Sequence, residues 1–168
     1  MMPLPPGAGD QATVSVFVAV PVARAFEVFT REIDAWWRRG PRYRMAGRMP
    51  GTLVFEPGLG GRLFESFATP EGERMLERGR IAVWEPPTRL VFRWRVADAT
   101  LEESTEVEVL FEPVGAGTRV TVCHRGWAAI RPDHPARHGL TGTAFSRMIG
   151  LWWGDLASAL REFIAGRG

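Results

Sequence analysis

Apolar and polar residues alternate through 13–20, Thr-Val-Ser-Val-Phe-Val-Ala-Val. Val14, Val16, Val18 and Val20 fall on one side, and Ser15, Phe17 and Ala19 on the other, which predicts a β-strand. Pro21 ends the strand and suits a helix start, where its missing N–H would have no partner. Val22, Ala25, Phe26 and Phe29 then recur at helical spacing, predicting a helix over 22–30. A second short helix is expected over 33–38, carrying Trp36 and Trp37. The stretch 39–51 is rich in Pro, Gly and Arg and reads as a loop.

Strand-like runs follow at 52–56, 62–68, 79–84, 90–96, 105–112 and 118–125. The breaks between them hold turn residues: Pro57-Gly58 with Gly60-Gly61, Glu71-Gly72, Pro86-Pro87, the run 97–103, and Gly115-Ala116-Gly117. Breaks this short favour hairpins over crossovers, and so an antiparallel sheet. The run 105–112 has the clearest alternation: Thr105, Val107, Val109 and Phe111 face one way, and Glu106, Glu108 and Glu112 face water. After a loop at 128–142 the period changes. Phe145, Ile149, Trp152, Leu156, Leu160 and Phe163 form one apolar stripe, predicting a helix over about 143–164, roughly 33 Å long at 1.5 Å per residue. The order is strand, two short helices, six strands, long helix. With no repeat and no linker, the expected organisation is a flexible leader over 1–12 and one α+β domain over 13–166.

Bulk composition narrows this picture only a little. The 168 residues are 45% hydrophobic and 24% charged, ordinary for a globular chain with its own core. Cys123 is the only cysteine, which excludes an internal disulfide and fits a cytoplasmic compartment. No apolar run is long enough for a membrane span. Every basic residue is Arg. The cluster Arg38, Arg39, Arg42, Arg44 and Arg48 reads as a solvated loop, and no nucleic-acid motif accompanies it.

Several short motifs point to a family. Gly60-Gly61-Arg62-Leu63-Phe64-Glu65 opens one strand. The segment 79–87, Gly-Arg-Ile-Ala-Val-Trp-Glu-Pro-Pro, precedes Leu90-Val91-Phe92-Arg93-Trp94. Gly117-Thr118-Arg119-Val120 and His124-Arg125-Gly126-Trp127 bracket the last strand, and Trp153 and Leu156 sit on the helix. In order and spacing these resemble the helix-grip fold of the START-like and birch-pollen-allergen-like superfamily, and within it the branch named after the activator of the heat-shock-protein-90 ATPase. The resemblance covers about residues 14–164. It implies a curved antiparallel sheet of about seven strands gripping the C-terminal helix. Relatives include lipid and sterol carriers, polyketide cyclases and aromatases, and co-chaperone domains, so fold alone does not choose a function. Where the family often carries Gly before the helix Trp, this chain has Trp152 before Trp153. Trp152 is therefore expected to set how much cavity remains.

A helix laid on a curved sheet leaves a gap suited to a small apolar molecule. By strand parity and helix stripe the expected lining is Phe26, Phe64, Phe92, Trp94, Val109, Val122, His124, Met148, Trp152 and Leu156. Each of these side chains is equally explained as core packing. His124 either meets a ligand oxygen, acts as a general base, or is a structural histidine bonded to the turn at Gly126. Glu65 and Glu85 are the candidate pocket carboxylates. Arg62, Arg93 or Arg95 in cross-strand pairs is the competing explanation for them. His134 and His138 are four apart, but Pro135 between them opposes the helix that would align two metal ligands. No metal and no cofactor are expected. The leading expectation is a carrier or sensor that binds a small hydrophobic ligand. A cyclase- or aromatase-like enzyme using His124 and a carboxylate, and a co-chaperone-like interaction module, are the alternatives. A homodimer stays open.

Overall fold

The computed structural model describes residues 10–44, 46, 50–95, 104–131 and 133–166. Residues 1–9 of the expected leader, Arg48, and the 97–103 connection lie outside the described residues. The chain runs β1 (Gln11–Val18), α1 (Val22–Arg31), α2 (Ile33–Trp36), β2 (Gly51–Phe55), β3 (Arg62–Thr69), β4 (Gly72–Glu85), β5 (Arg89–Arg95), β6 (Ser104–Val114) and β7 (Gly117–Arg125). Two short 3-10 turns, Trp127–Ala129 and Pro135–Arg137, lead into α3 (Gly142–Gly166). The seven strands make one antiparallel sheet in the order β1-β7-β6-β5-β4-β3-β2. The two helices between β1 and β2 carry the chain from one edge of the sheet to the other. This is the helix-grip arrangement expected.

Alternation decides which face grips. Val16 and Val18 of β1, Val120 and Val122 of β7, Val107, Val109 and Phe111 of β6, and Leu90 and Phe92 of β5 are all buried under the helices. The outer face carries charge instead. Arg89 reaches Glu108 at 2.7 Å, and Arg125 reaches Glu106 at 2.8 Å and Glu108 at 3.0 Å. Such half-exposed pairs add little stability each, but they keep the convex face in water.

α3 buries Phe145, Ile149, Trp153, Leu156, Leu160 and Ile164. The fully buried tryptophan is thus Trp153, at 1% exposure, while Trp152, assigned to the inner stripe from the sequence, is half-buried beside it. Phe163 is likewise only partly buried, and Ile164 takes the inner position. Successive helix positions differ by about 100°, so two adjacent indoles straddle the edge of a broad stripe, and packing decides between them.

β4 is longer than its apolar pattern predicts, because its first half pairs with β3 as a protruding hairpin from Thr69↔Gly72 inward. Residues 72–75 there are exposed, so no alternation marks them as strand. At the inner end of that hairpin the register shifts. Leu63 pairs with Gly79 but Phe64 pairs with Glu77, which leaves Arg78 as an extra residue. Consequently Arg78 and Gly79 are both buried although they are sequence neighbours. Gly79 must be glycine, since a Cβ there would stand 2.2 Å from the Arg93 carbonyl oxygen.

The arginine-rich loop is not simply solvated. Arg44 is 5% exposed and donates to the Asp34 carboxylate at 2.5 Å and to the Trp37 carbonyl at 2.8 Å. Burial alone would raise the Asp34 carboxyl. Hydrogen bonds from Arg44 and the Leu53 N–H, with the charges of Arg44 and Arg39, outweigh it and hold Asp34 below the ordinary carboxylate range. Arg38 meanwhile donates to the Asp155 carbonyl of α3 at 3.0 Å, tying the loop to the gripped helix. No helix among the described residues is long and apolar enough to cross a membrane.

Candidate functional site

The deep part of the grip is filled. Phe29, Trp36, Trp153 and Leu156 close against Val16 and Val122, leaving a void of only about 10 Å³. Toward the N-terminal end of α3 the helix and the sheet diverge, and a half-open cavity of about 700 Å³ lies between them. Its floor is Trp94 of β5 and His124 of β7, with Arg78 of β4 alongside. Met148, Ile149 and Trp152 of α3 form one wall. The segment after β7 supplies the other, through Trp127, His134 and Ala136. Pro41 and Arg42 stand at the rim.

Tryptophans dominate the lining and touch one another. Trp94 lies 6.1 Å from Trp152 and 6.5 Å from Trp153 between ring centroids. Trp152 stacks on Tyr43 at 5.8 Å and donates its indole N–H to the Arg42 carbonyl at 2.9 Å. Trp152 is therefore held at the mouth by the arginine-rich loop, and the cavity stays open behind it. The Tyr43 hydroxyl donates to Asp155 at 2.9 Å; burial first, then this bond, raises the Tyr43 pKa.

His124 is 2% exposed and has both ring nitrogens engaged. The Trp153 indole N–H, which can only donate, meets Nδ1 at 3.0 Å. Nδ1 is thus the acceptor, and the neutral ring carries its hydrogen on Nε2. Nε2–H then donates to Thr105 Oγ1 at 2.7 Å, and the Thr105 hydroxyl points on to the Trp94 carbonyl at 3.4 Å. The partners are side chains of β6 and α3 rather than the turn at Gly126. Burial lowers the His124 pKa to about 3, so the ring is neutral near pH 7. A neutral imidazole whose one lone pair is already occupied has no site left to take a substrate proton.

The bulge in β4 turns Arg78 inward over the Trp94 ring, 4.4 Å from its centroid. Arg78 donates to Glu65 at 3.0 Å and to the Tyr43 carbonyl at 3.1 Å. Burial lowers the Arg78 pKa and the Glu65 carboxylate works against that shift. Glu65 also accepts the Ala46 N–H at 3.1 Å. The pair links β3, β4 and the arginine-rich loop at the cavity floor.

The wall after β7 has only two short 3-10 turns of its own and is pinned further by side chains. Arg137 donates to the carbonyls of Trp127 at 2.5 Å, Ile130 at 2.7 Å and Arg131 at 3.1 Å, and its guanidinium lies over Phe145. Asp10 accepts the Ala128 N–H at 2.7 Å and the Gly126 N–H at 3.4 Å. Asp10→Ala is expected to cost about 1–2 kcal/mol of stability. Hydrogen exchange should then speed up selectively at the Gly126 and Ala128 amides, with those of β6 unchanged.

Of the residues expected to line a cavity, the structure brings Trp94, His124, Met148 and Trp152 together around this one. Phe26 instead packs on Trp84 and Phe111, and Phe92 on Phe55. Val109 is fully buried in the core, and Val122 and Leu156 border the small void. Phe64 lies under Arg62, 5.1 Å from the guanidinium, on the other side of β3 from buried Leu63 and Glu65. Glu65 points inside but is ion-paired, and Glu85 is exposed and pairs with Arg89 at 3.2 Å. The partners are thus Arg78 and Arg89, not Arg62, Arg93 or Arg95. His134 and His138 both border the cavity, and among the described residues no three His, Cys, Asp or Glu side chains cluster as a metal site would require. Sequence reasoning missed Arg78, Trp127, His134 and Ile149. Trp127 carried a signal through the motif that follows the last strand, Ile149 through the helix stripe and His134 only as a metal candidate, while Arg78 carried none.

Known structures share this architecture. A protein from Rhodobacter sphaeroides is 23% identical, with 97% of each chain covered and a TM-score of 0.65. One from Cytophaga hutchinsonii is 13% identical, covering 95% of this chain and 97% of its own, also at 0.65. One from Mesorhizobium loti is 16% identical, covering 94% and 98%, at 0.61. At these identities the likeness establishes the fold alone. No curated protein matches the chain in sequence. The sequence model of the family described as activator of Hsp90 ATPase homolog 1-like protein matches residues 19–148, from the end of β1 into α3. With that match over more than half its length, and with a seven-stranded sheet gripping α3, the chain belongs to the activator of Hsp90 ATPase homolog 1-like family.

Proposed function

We propose that the protein binds a small hydrophobic molecule in the cleft between Trp94, the N-terminal half of α3 and the segment after β7, as a carrier or sensor. The observation that carries this reading is the cavity of about 700 Å³ walled by Trp94, Trp127, Met148, Ile149 and Trp152. That size suits a ligand of one to a few rings, and aromatic walls with a few placed polar groups are the usual character of such sites. The cyclase-type alternative gains nothing from His124, whose ring nitrogens are spent on Trp153 and Thr105.

A titration read by tryptophan fluorescence tests the reading directly, because three indoles line the cleft. A panel of fused-ring aromatics, long-chain fatty acids and sterols is expected to contain at least one member that quenches or shifts the emission saturably. Met148→Trp, which places bulk inside the cavity, is expected to weaken that binding by more than about tenfold while the far-ultraviolet circular dichroism stays unchanged. A panel with no saturable response, or a Met148→Trp variant that binds as tightly as the parent, would sink the proposal.

A further inference from the structure

Among the described residues four buried side-chain polar atoms lack a hydrogen-bond partner: Arg78 Nε, Trp127 Nε1, His134 Nε2 and Ser146 Oγ. Buried polar groups without partners are uncommon in folded proteins, and each calls for a physical reason. Three of these four belong to residues that line the same cavity. They come from different elements, β4, the first 3-10 turn and the residue before the second, so no single local irregularity explains them.

All three are donors. A guanidinium Nε and an indole nitrogen carry hydrogen in every relevant state. For His134 the tautomer follows from the fold: Nδ1 accepts the Ala136 N–H at 3.0 Å, so the ring hydrogen sits on Nε2. The described lining residues meanwhile include no Asp, Glu, Asn, Gln, Ser, Thr or Tyr. Of the other lining histidines, His124 has its Nδ1 already taken by Trp153, and His138 supplies one acceptor nitrogen when neutral. The residues around the cavity therefore bring donors and aromatic surface, with few side-chain acceptors.

Resting on the reading above of the cavity as a hydrophobic-ligand site, we propose that its ligand is a ring compound bearing acceptor oxygens (carbonyl, carboxylate or phenolate), which accept from Arg78, Trp127 and His134 while Trp94, Trp152 and Met148 cover the rings. The three nitrogens are closed to solvent in this structure, so a ligand pairs with them only where their side chains turn toward the cavity. A ligand ammonium finds no carboxylate in the wall and meets the Arg78 guanidinium instead. Selectivity for acceptors over donors follows from the same principle by which a site built to hydrogen-bond a group rejects the analogue without it.

Binding of acetonaphthone, naphthoate, methylnaphthalene and naphthylmethylamine to the full chain at pH 7, followed by tryptophan fluorescence and calorimetry, tests this. The four share a ring system and differ in what they offer the donors. Acetonaphthone and naphthoate are expected to bind at least about tenfold more tightly than methylnaphthalene, and the amine more weakly than methylnaphthalene. Trp127→Phe keeps an aromatic ring and removes one donor. It should shrink the preference for acetonaphthone over methylnaphthalene by about threefold to tenfold, whatever the smaller ring does to the affinity for both. Methylnaphthalene binding as tightly as acetonaphthone, or the amine binding best, would overturn the acceptor rule and leave the hydrophobic site standing. No binding by any of the four would overturn the rule together with the site. The comparison within the unmodified protein decides the matter even if Trp127→Phe does not fold.

Discussion

Glu65→Leu is expected to destabilise the fold by about 3–5 kcal/mol, the usual cost of stranding one member of a buried ion pair. Arg78→Met should cost a similar amount, because it strands the carboxylate instead. The double variant Glu65→Leu/Arg78→Met is expected to be more stable than either single one, since it removes both charges and fills the space with apolar atoms. The two groups are 3.0 Å apart, with side chains 2% and 11% exposed, so little water is available to solvate whichever remains. Of the pair's other partners, the half-buried Ala46 N–H loses its acceptor wherever Glu65 becomes Leu, while the Tyr43 carbonyl keeps one donor. The Tyr43 carbonyl still accepts from the Trp37 indole at 3.1 Å. Urea midpoints of the four proteins close the cycle; losses that simply add would show that the pair is not coupled. The experiment also bears on function, because Arg78 is at once the partner of Glu65 and a wall of the cleft over Trp94. The same carboxylate that the sequence offered as a catalytic candidate is on this account a counter-ion that keeps a guanidinium inside an aromatic pocket.

The fold was legible wherever one periodicity ruled a whole element. In β6 the alternation of Thr105, Val107, Val109 and Phe111 with glutamates gave both the strand and its inner face, and the structure buries all four inner residues. The first half of β4 was hidden for the opposite reason. Gly-Glu-Arg-Met-Leu-Glu-Arg has no buried side until its last residue, and only pairing with β3 makes it a strand. The site was legible in part for the same physical reasons. Trp94 and His124 sit on strands whose parity points them inward, and Met148 and Trp152 sit beside a helical stripe. Arg78 could not be read this way, because a bulge breaks the parity rule at that very residue and swaps its face. His134 and Trp127 lie on irregular backbone, where no period exists to say which way a side chain points. The Trp127 segment is placed by tethers to Asp10 and Arg137, and the His134 ring by the Ala136 N–H, bonds that no periodicity announces. The depth of the cavity was also beyond reach, since Trp152 and Trp153 are neighbours and only packing shows that Trp153 fills the interior while Trp152 guards the mouth.

Acidification from pH 7 to pH 5 is expected to remove about 2 kcal/mol of stability through His124 alone. The ring titrates near 6.5 when the chain is unfolded and near 3 when it is buried. Between those values the unfolded chain binds a proton that the folded protein refuses, so each unit of pH lost there costs about 1.4 kcal/mol. The contribution is whole above pH 6.5, falls as the pH drops, and is gone below about pH 3. Measuring between pH 7 and pH 5 stays above the range where carboxylates such as Glu108, held down chiefly by its bond to Arg89, begin to take up protons. His124→Gln isolates the effect, because an amide can accept the Trp153 N–H through its oxygen and donate to Thr105 through its nitrogen without titrating. Urea unfolding at both pH values should show the steep loss in the parent and a shallower one in His124→Gln. Equal losses in the two proteins would mean that His124 takes up its proton in the folded state, reopening the acid–base role that its present bonding denies it. A retained difference would fix His124 as the neutral joint between β7, β6 and α3, on which the cavity floor beneath Trp94 rests.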